Sequence, residues 1–311
     1  MQHEQFQAFL ELHQLPSEYL DQAFKAYQTV IDDILSRRLS KQPVVLGING
    51  CQGSGKSTTA AFLQHAFETI HHLKVVNISL DDFYLGKEAR IKKSKMVHPL
   101  FATRGVPGTH DTKLAMDTLQ QLLMGKAPLI SRFNKAVDDL FPRSEWDQAP
   151  EKADIIILEG WFLCAQAQDE SALLTPVNDL ERNEDIDGIW RQHVNEQLKT
   201  LYQALFNLVD CLVMLKAPSF EAVFNWRLEQ ENKLAKKLLL SKQIKPNTIK
   251  TKEPRAASSG LMNKDEIKRF INYFQRLTEN ILIEMPERAD HCYYLNTERQ
   301  IVHEQHRNAN N

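Results

Sequence analysis

The run Gly50-Cys51-Gln52-Gly53-Ser54-Gly55-Lys56-Ser57 fits G-x-x-x-x-G-K-[ST] at every fixed position. Gly50, Gly53 and Gly55 let the backbone close on a phosphate chain, and the N–H groups from Ser54 to Thr58 converge on it at a helix start. Lys56 supplies a mobile cation for the β- and γ-phosphates, and the Ser57 hydroxyl supplies an oxygen ligand for the Mg²⁺ that bridges them. A nucleoside triphosphate with Mg²⁺ is therefore the expected ligand. The loop alone does not separate a kinase from a GTPase, a motor or a repair ATPase.

Further residues narrow the chemistry. Ser79-Leu80-Asp81-Asp82-Phe83-Tyr84 follows an apolar run, so Asp81 and Asp82 are expected at the carboxyl edge of a sheet, where doubly wound folds bind ligands. Asp81 could take the proton of a hydroxyl attacking the γ-phosphate; the plainer reading is a helix cap or Asx turn. Glu159 ends another apolar run, a costly place for a charge unless it serves the metal. Arg104 and His110 lie on the proline- and glycine-restrained string RGVPGTHD, Arg104 suited to fork onto a carboxylate or else an exposed turn residue, with Asp111 capping the next helix. Arg132 and Lys135 add cations before the third strand, and Arg227 leads into a lysine-rich stretch that could close over the nucleotide or form a solvated face.

These residues need elements to hold them. Five short runs, VVLGING, KVVNIS, DIIILE, DCLVML and HCYYL, are continuously apolar rather than alternating, which predicts strands buried on both faces of a parallel sheet. Residues 17–35 carry apolar side chains at helical spacing after Pro16, and Asn263 with Glu266 makes a capping-box-like start to a last helix. The expected fold is α/β: a doubly wound, mainly parallel five-stranded sheet with helices on both faces. Residues 1–40 form an N-terminal helical segment packed on a domain spanning 41–311, with a lid-like region at about 226–260. The polar, acidic stretch 166–188 has no clear period and is expected to be a surface excursion.

Composition sets outer bounds. With 311 residues, 42% of them hydrophobic, and 38 basic against 40 acidic side chains, the chain can bury a full core and has no global charge that favours nucleic acid. No apolar run reaches the roughly 18 residues of a membrane span, and the first residues lack a signal-peptide core, so a cytoplasmic protein without membrane partners is expected. Cys51, Cys164, Cys211 and Cys292 are too scattered for a disulfide framework or zinc site.

The strings GCQGSGKST, SLDDFYL, RGVPGTHD, LEGW and NWRLEQE, in this order, resemble the D-glycerate kinase branch of the P-loop small-molecule kinases, related to uridine kinase, phosphoribulokinase and bacterial pantothenate kinase. The resemblance runs from about Val44 to Tyr294. It implies that Asp81 is the catalytic base, Glu159 the metal-associated acid and Arg227 a lid arginine; from the residues themselves, Asp82, Tyr84, Arg104, His110 and Arg132 are the candidates for the acceptor side. Where that family carries a Y-D-K-S-like string, this chain reads Arg132-Phe133-Asn134-Lys135-Ala136. The expected activity is ATP-dependent phosphorylation of a hydroxyl on a small, anionic metabolite, glycerate first. The alternatives are a nucleoside, pantothenate or sugar acceptor, or a non-kinase NTPase; an N-K-x-D string, which would mark a guanine-reading switch, is missing from the sequence.

Overall fold

The computed structural model describes residues 5–41, 43–229 and 264–307, apart from the side chains of residues 264 and 265. The five apolar runs form β1 (Val44–Gly50), β2 (Val75–Ser79), β3 (Ile155–Gly160), β4 (Cys211–Lys216) and β5 (His291–Leu295). A sixth strand, β6 (Ile301–His306), corrects the expected count; the order is β6-β5-β4-β1-β3-β2, with β6 antiparallel and the other pairs parallel. β6 reads IVHEQH and faces solvent along most of its length, so it carries none of the apolar continuity that marks the inner strands.

Along the central strands alternate side chains enter two separate cores. Val44, Leu46, Ile48, Ile155 and Ile157 pack on one face, Val45, Ile156 and Leu158 on the other. The described helices used below are α1 (Gln7–His13), α2 (Glu18–Arg38), α3 (Lys56–His71), α4 (Lys87–Met96), α5 (Thr112–Leu123), α6 (Ile189–Gln197), α7 (220–229) and α8 (Lys264–Glu284). The first core takes Leu20, Val30 and Ile34 of α2, Phe62 and Phe67 of α3, and Phe6 and Phe9, whose rings lie 5.8 and 6.2 Å from Phe62. The second takes Leu119 and Leu122 of α5, Trp190 of α6, and Phe274, Leu277 and Ile281 of α8.

The stretch 166–188 is mostly exposed, as expected of a surface excursion, but it is anchored. Leu173, Leu180, Glu181 and Asp185 in it are buried, Glu181 accepts both Nε and Nη2 of Arg276 at 2.8 and 2.7 Å, and Asp185 pairs with the buried Arg191 at 2.9 Å. Its acidic residues fasten α6 and α8, the first through a pair 6 residues apart and the second through one 95 apart, and neither leaves a period in the sequence. All four cysteines are buried and free. No helix among the described residues is long and apolar enough to cross a membrane. Most of the lysine-rich stretch read as a lid lies outside the described residues.

Strand order reverses around β1, with β3 and β2 on one side and β4 and β5 on the other. The register sets Ile48 of β1 and Ser79 of β2 level with Glu159 of β3, and Gly50 level with Leu215 of β4. The loops after β1, β2 and β3 consequently meet at one sheet edge, at the switch point where doubly wound sheets open a crevice.

Candidate active site

The turn from β1 into α3 is shaped by its glycines. Gly55 has φ +93° and Gly53 φ +81°, in the left-handed region that a side chain disfavours. A Cβ on Gly50 would lie 2.5 Å from Ser54 Oγ and 3.3 Å from Lys56 Cβ, so only glycine lets the loop fold back this closely. The helix then starts at Lys56 with Ser57 and Thr58 in its first turn.

Glu159 reaches this turn from β3. Its Oε1 accepts from Ser57 Oγ at 3.1 Å, and its Oε2 lies 3.8 Å from Lys56 Nζ. Glu159 is buried, and Oε2 has no hydrogen-bond partner, as is also true of the buried Ser54 Oγ and Gln52 Oε1. A carboxylate oxygen left over beside a serine hydroxyl is the oxygen donor set that suits Mg²⁺, so the residues fit the metal expected with a triphosphate. Burial pulls the Lys56 ammonium down, but Glu159 and then Asp81 outweigh it and raise the pKa, keeping Lys56 charged.

The chain after β2 makes a single 3₁₀ turn, Leu80–Phe83, capped by Ser79. Asp82 completes the capping box: its Oδ2 accepts from the Ser79 N–H at 3.3 Å and from Arg132 Nη1 at 2.5 Å. Burial raises the Asp82 pKa despite Arg132. Arg132 also donates to Asp147 at 2.6 Å. Asp81 is turned elsewhere, with Tyr84 Oη donating to Oδ1 at 2.9 Å and Lys135 Nζ to Oδ2 at 2.6 Å. Burial alone would push Asp81 up, but Lys135 and Lys56 hold it far below the usual carboxylate range. Of two adjacent aspartates, one caps the turn and the other faces the two lysines.

Tyr84 lies flat on His110, ring centroids 4.3 Å apart, and the two residues form a backbone bridge. Burial and the Asp81 carboxylate drive the Tyr84 phenol well up, so it remains a donor. Burial lowers His110 to about 3 and keeps the imidazole neutral; Nδ1 meets Tyr202 Oη at 2.9 Å while the buried Nε2 has no partner. Trp161, two residues past Glu159, donates Nε1–H to the Gly105 carbonyl at 2.9 Å and ties the RGVPGTHD loop to the end of β3. Arg104 pairs with Asp138 and lies 5.3 Å over the Phe133 ring. Its partner stands in a small ribbon, Phe133–Asn134 against Asp139–Leu140, whose turn carries Lys135. Arg227, on α7, lies 5.5 Å over Phe270 of α8.

No family model matches the chain. A Schizosaccharomyces pombe protein named as an uncharacterized kinase is 34% identical over 224 residues, which cover 67% of this chain and 78% of that protein. The chain belongs to the P-loop small-molecule kinases. This kinase is also 30% identical over 199 residues to a chloroplastic D-glycerate 3-kinase of Arabidopsis thaliana, across 61% of its own length and 41% of the plant protein's. The solved structure of D-glycerate 3-kinase from Cryptococcus neoformans var. grubii superposes on the kinase with a TM-score of 0.70 over 89% of this chain and 98% of that one, at 22% identity; it shows the shared fold.

Two contacts of the kinase site have no local sequence signal. Arg299, in the turn between β5 and β6, donates Nε–H to the Gly53 carbonyl at 2.7 Å and Nη2 to Glu229 at 2.7 Å, with its guanidinium 5.2 Å over Trp226. Tyr202 accepts the Gly108 N–H at 2.9 Å besides meeting His110. Recognising the β5–β6 hairpin would have drawn attention to Arg299; nothing local marks Tyr202.

Proposed function

We propose that this kinase transfers the γ-phosphoryl group of ATP to a hydroxyl of D-glycerate, with Asp81 as the general base. The observation that carries the reading is the convergence of Lys56, Glu159 and Asp81 at one sheet edge, strong enough for both carboxylates to raise the Lys56 pKa. The 30% identity to a D-glycerate 3-kinase supports the choice of acceptor. A small hydroxy acid also suits a site walled by Tyr84, His110, Arg104 and Arg132, with Asp82 fixing the turn that carries the base.

In this reading the backbone of residues 50–58 cradles the phosphates, and Lys56 neutralises charge growing on the transferring group. Ser57 and Glu159 would hold Mg²⁺, which would supply positive charge against the triphosphate. Asp81 accepts the hydroxyl proton as the acceptor oxygen bonds to the γ-phosphorus. The bond from that phosphorus to the β–γ bridging oxygen breaks, and ADP leaves. Arg227 acts from α7 on the nucleotide side. A cytoplasmic location belongs to the same reading.

The test is a comparison of kcat/KM for D-glycerate, pantothenate, uridine and glycerol with Mg·ATP. D-glycerate should lead by at least about tenfold. A faster turnover of another acceptor would reassign the substrate.

A further inference from the structure

Both oxygens of the proposed base are covered, and the two covers differ in freedom. Tyr84, on Oδ1, is 4% exposed and held between the His110 face and the Phe133 edge, with centroids 4.3 and 5.2 Å away. Lys135, on Oδ2, is 60% exposed at the tip of the ribbon. The far end of the turn that carries Lys135 is fixed: Arg90 pairs with Asp138 at 2.6 Å and donates to its carbonyl at 3.0 Å, Arg104 pairs with the same carboxylate, and both guanidinium groups lie over Phe133. The backbone is anchored while the long lysine stem can swing. Around the ribbon Arg90, Arg104 and Arg132 are bound to aspartates other than Asp81.

We propose that Lys135 senses the acceptor: its ammonium covers the Asp81 carboxylate until an acceptor bearing its own carboxylate beside the reacting hydroxyl draws the lysine away. The proposal rests on Asp81 being the base. A carboxylate in contact with an ammonium is a weak base, because taking up a proton forfeits the ion pair. Water brings no anion to compete for Lys135, so the base stays covered and ATP is not spent on water. A hydroxy acid brings both the competing anion and the hydroxyl. Lysine suits this exchange because its charge is compact and its stem rotates, whereas a guanidinium fork would hold Asp81 through two bonds. The acceptor class is then a small hydroxy acid, and a neutral polyol should be a poor substrate.

Two rates test this in the wild type, Lys135→Met and Lys135→Arg: Mg·ATP hydrolysis without acceptor, and phosphorylation of D-glycerate against glycerol, which has the hydroxyls without the carboxylate. Lys135→Met should raise acceptor-free hydrolysis about fivefold or more, and raise KM for D-glycerate at least about tenfold with kcat within about threefold. The preference for D-glycerate over glycerol should shrink about tenfold in Lys135→Met, whereas Lys135→Arg, whose fork holds Asp81 through two bonds, should keep acceptor-free hydrolysis at the wild-type level and lower kcat on D-glycerate. Acceptor-free hydrolysis that is unchanged or lower in Lys135→Met overturns the covering role whatever the acceptor is. A wild type inactive on D-glycerate overturns the glycerate reading, and the hydrolysis comparison still decides the role of Lys135.

Discussion

Arg299 holds the carbonyl of Gly53 at 2.7 Å, so a residue from the last hairpin of the chain fixes the conformation of the phosphate loop. The same guanidinium binds Glu229 and covers Trp226, joining α7 to the loop. Arg299→Ala should raise KM for ATP about tenfold while kcat falls less, because the loop loses an external tie rather than a group that touches the phosphates. Steady-state kinetics with ATP varied, and calorimetric titration with ATP, check it; an unchanged KM would mean that the loop holds its shape without Arg299.

Glu159→Gln keeps an acceptor for the Ser57 hydroxyl but removes the charge that faces Lys56 at 3.8 Å. The Mg²⁺ concentration needed for half-maximal activity should rise by about ten- to a hundredfold. A Mg²⁺ titration of the rate reads this directly, and an unchanged requirement would remove Glu159 from the metal.

Asp81→Asn should lower kcat by at least about a hundredfold while Mg·ATP still binds, the usual scale for losing a general base. Asp82→Asn should act on stability instead, since Asp82 caps the turn and holds Arg132. Single-turnover rates and urea midpoints for both variants separate the roles. The reverse pattern would make Asp82 the base.

The division between these aspartates was only half legible in the sequence. Continuous apolar runs marked the five parallel strands, and the fixed spacing of Gly50, Gly55, Lys56 and Ser57 marked the loop, because each is a local pattern imposed by local geometry. β6 escaped because its half-exposed, polar sequence has no such pattern. The Ser79–Asp82 capping box is local and readable once the turn is known, but the pairing of Asp81 with Lys135 spans 54 residues and depends on how the ribbon packs on the turn after β2. Arg132 and Arg104 were legible as cations near the site, whereas their aspartate partners Asp82, Asp147 and Asp138 were set by tertiary packing.

His110 predicts a pH dependence of stability. Burial lowers its pKa from 6.5 in the unfolded chain to about 3 in the fold. Below pH 6.5 the unfolded chain takes up a proton that the folded chain refuses, so this residue weakens the fold progressively from pH 6.5 down to about 3. At pH 4.5 the loss is about 2–3 kcal/mol. His110→Gln should remove that part of the acid sensitivity, seen as a smaller drop in urea midpoint between pH 7.5 and 4.5. An identical drop in both proteins would mean that His110 stays charged in the fold.

Arg104→Lys should raise KM for D-glycerate at least about tenfold with little change for ATP, because one ammonium cannot both hold Asp138 and present a fork to a carboxylate. Equal losses for both substrates would move Arg104 to the phosphates.

The most direct measurement follows the phosphoryl group itself. Purified protein is incubated with Mg·ATP and D-glycerate while ADP and phosphoglycerate are counted together by phosphorus NMR. The expected result is one phosphoglycerate for each ADP, little ADP without acceptor, and no turnover for a folded Lys56→Ala variant. ADP formed at the same rate with and without any small acceptor, or full turnover by Lys56→Ala, would contradict it.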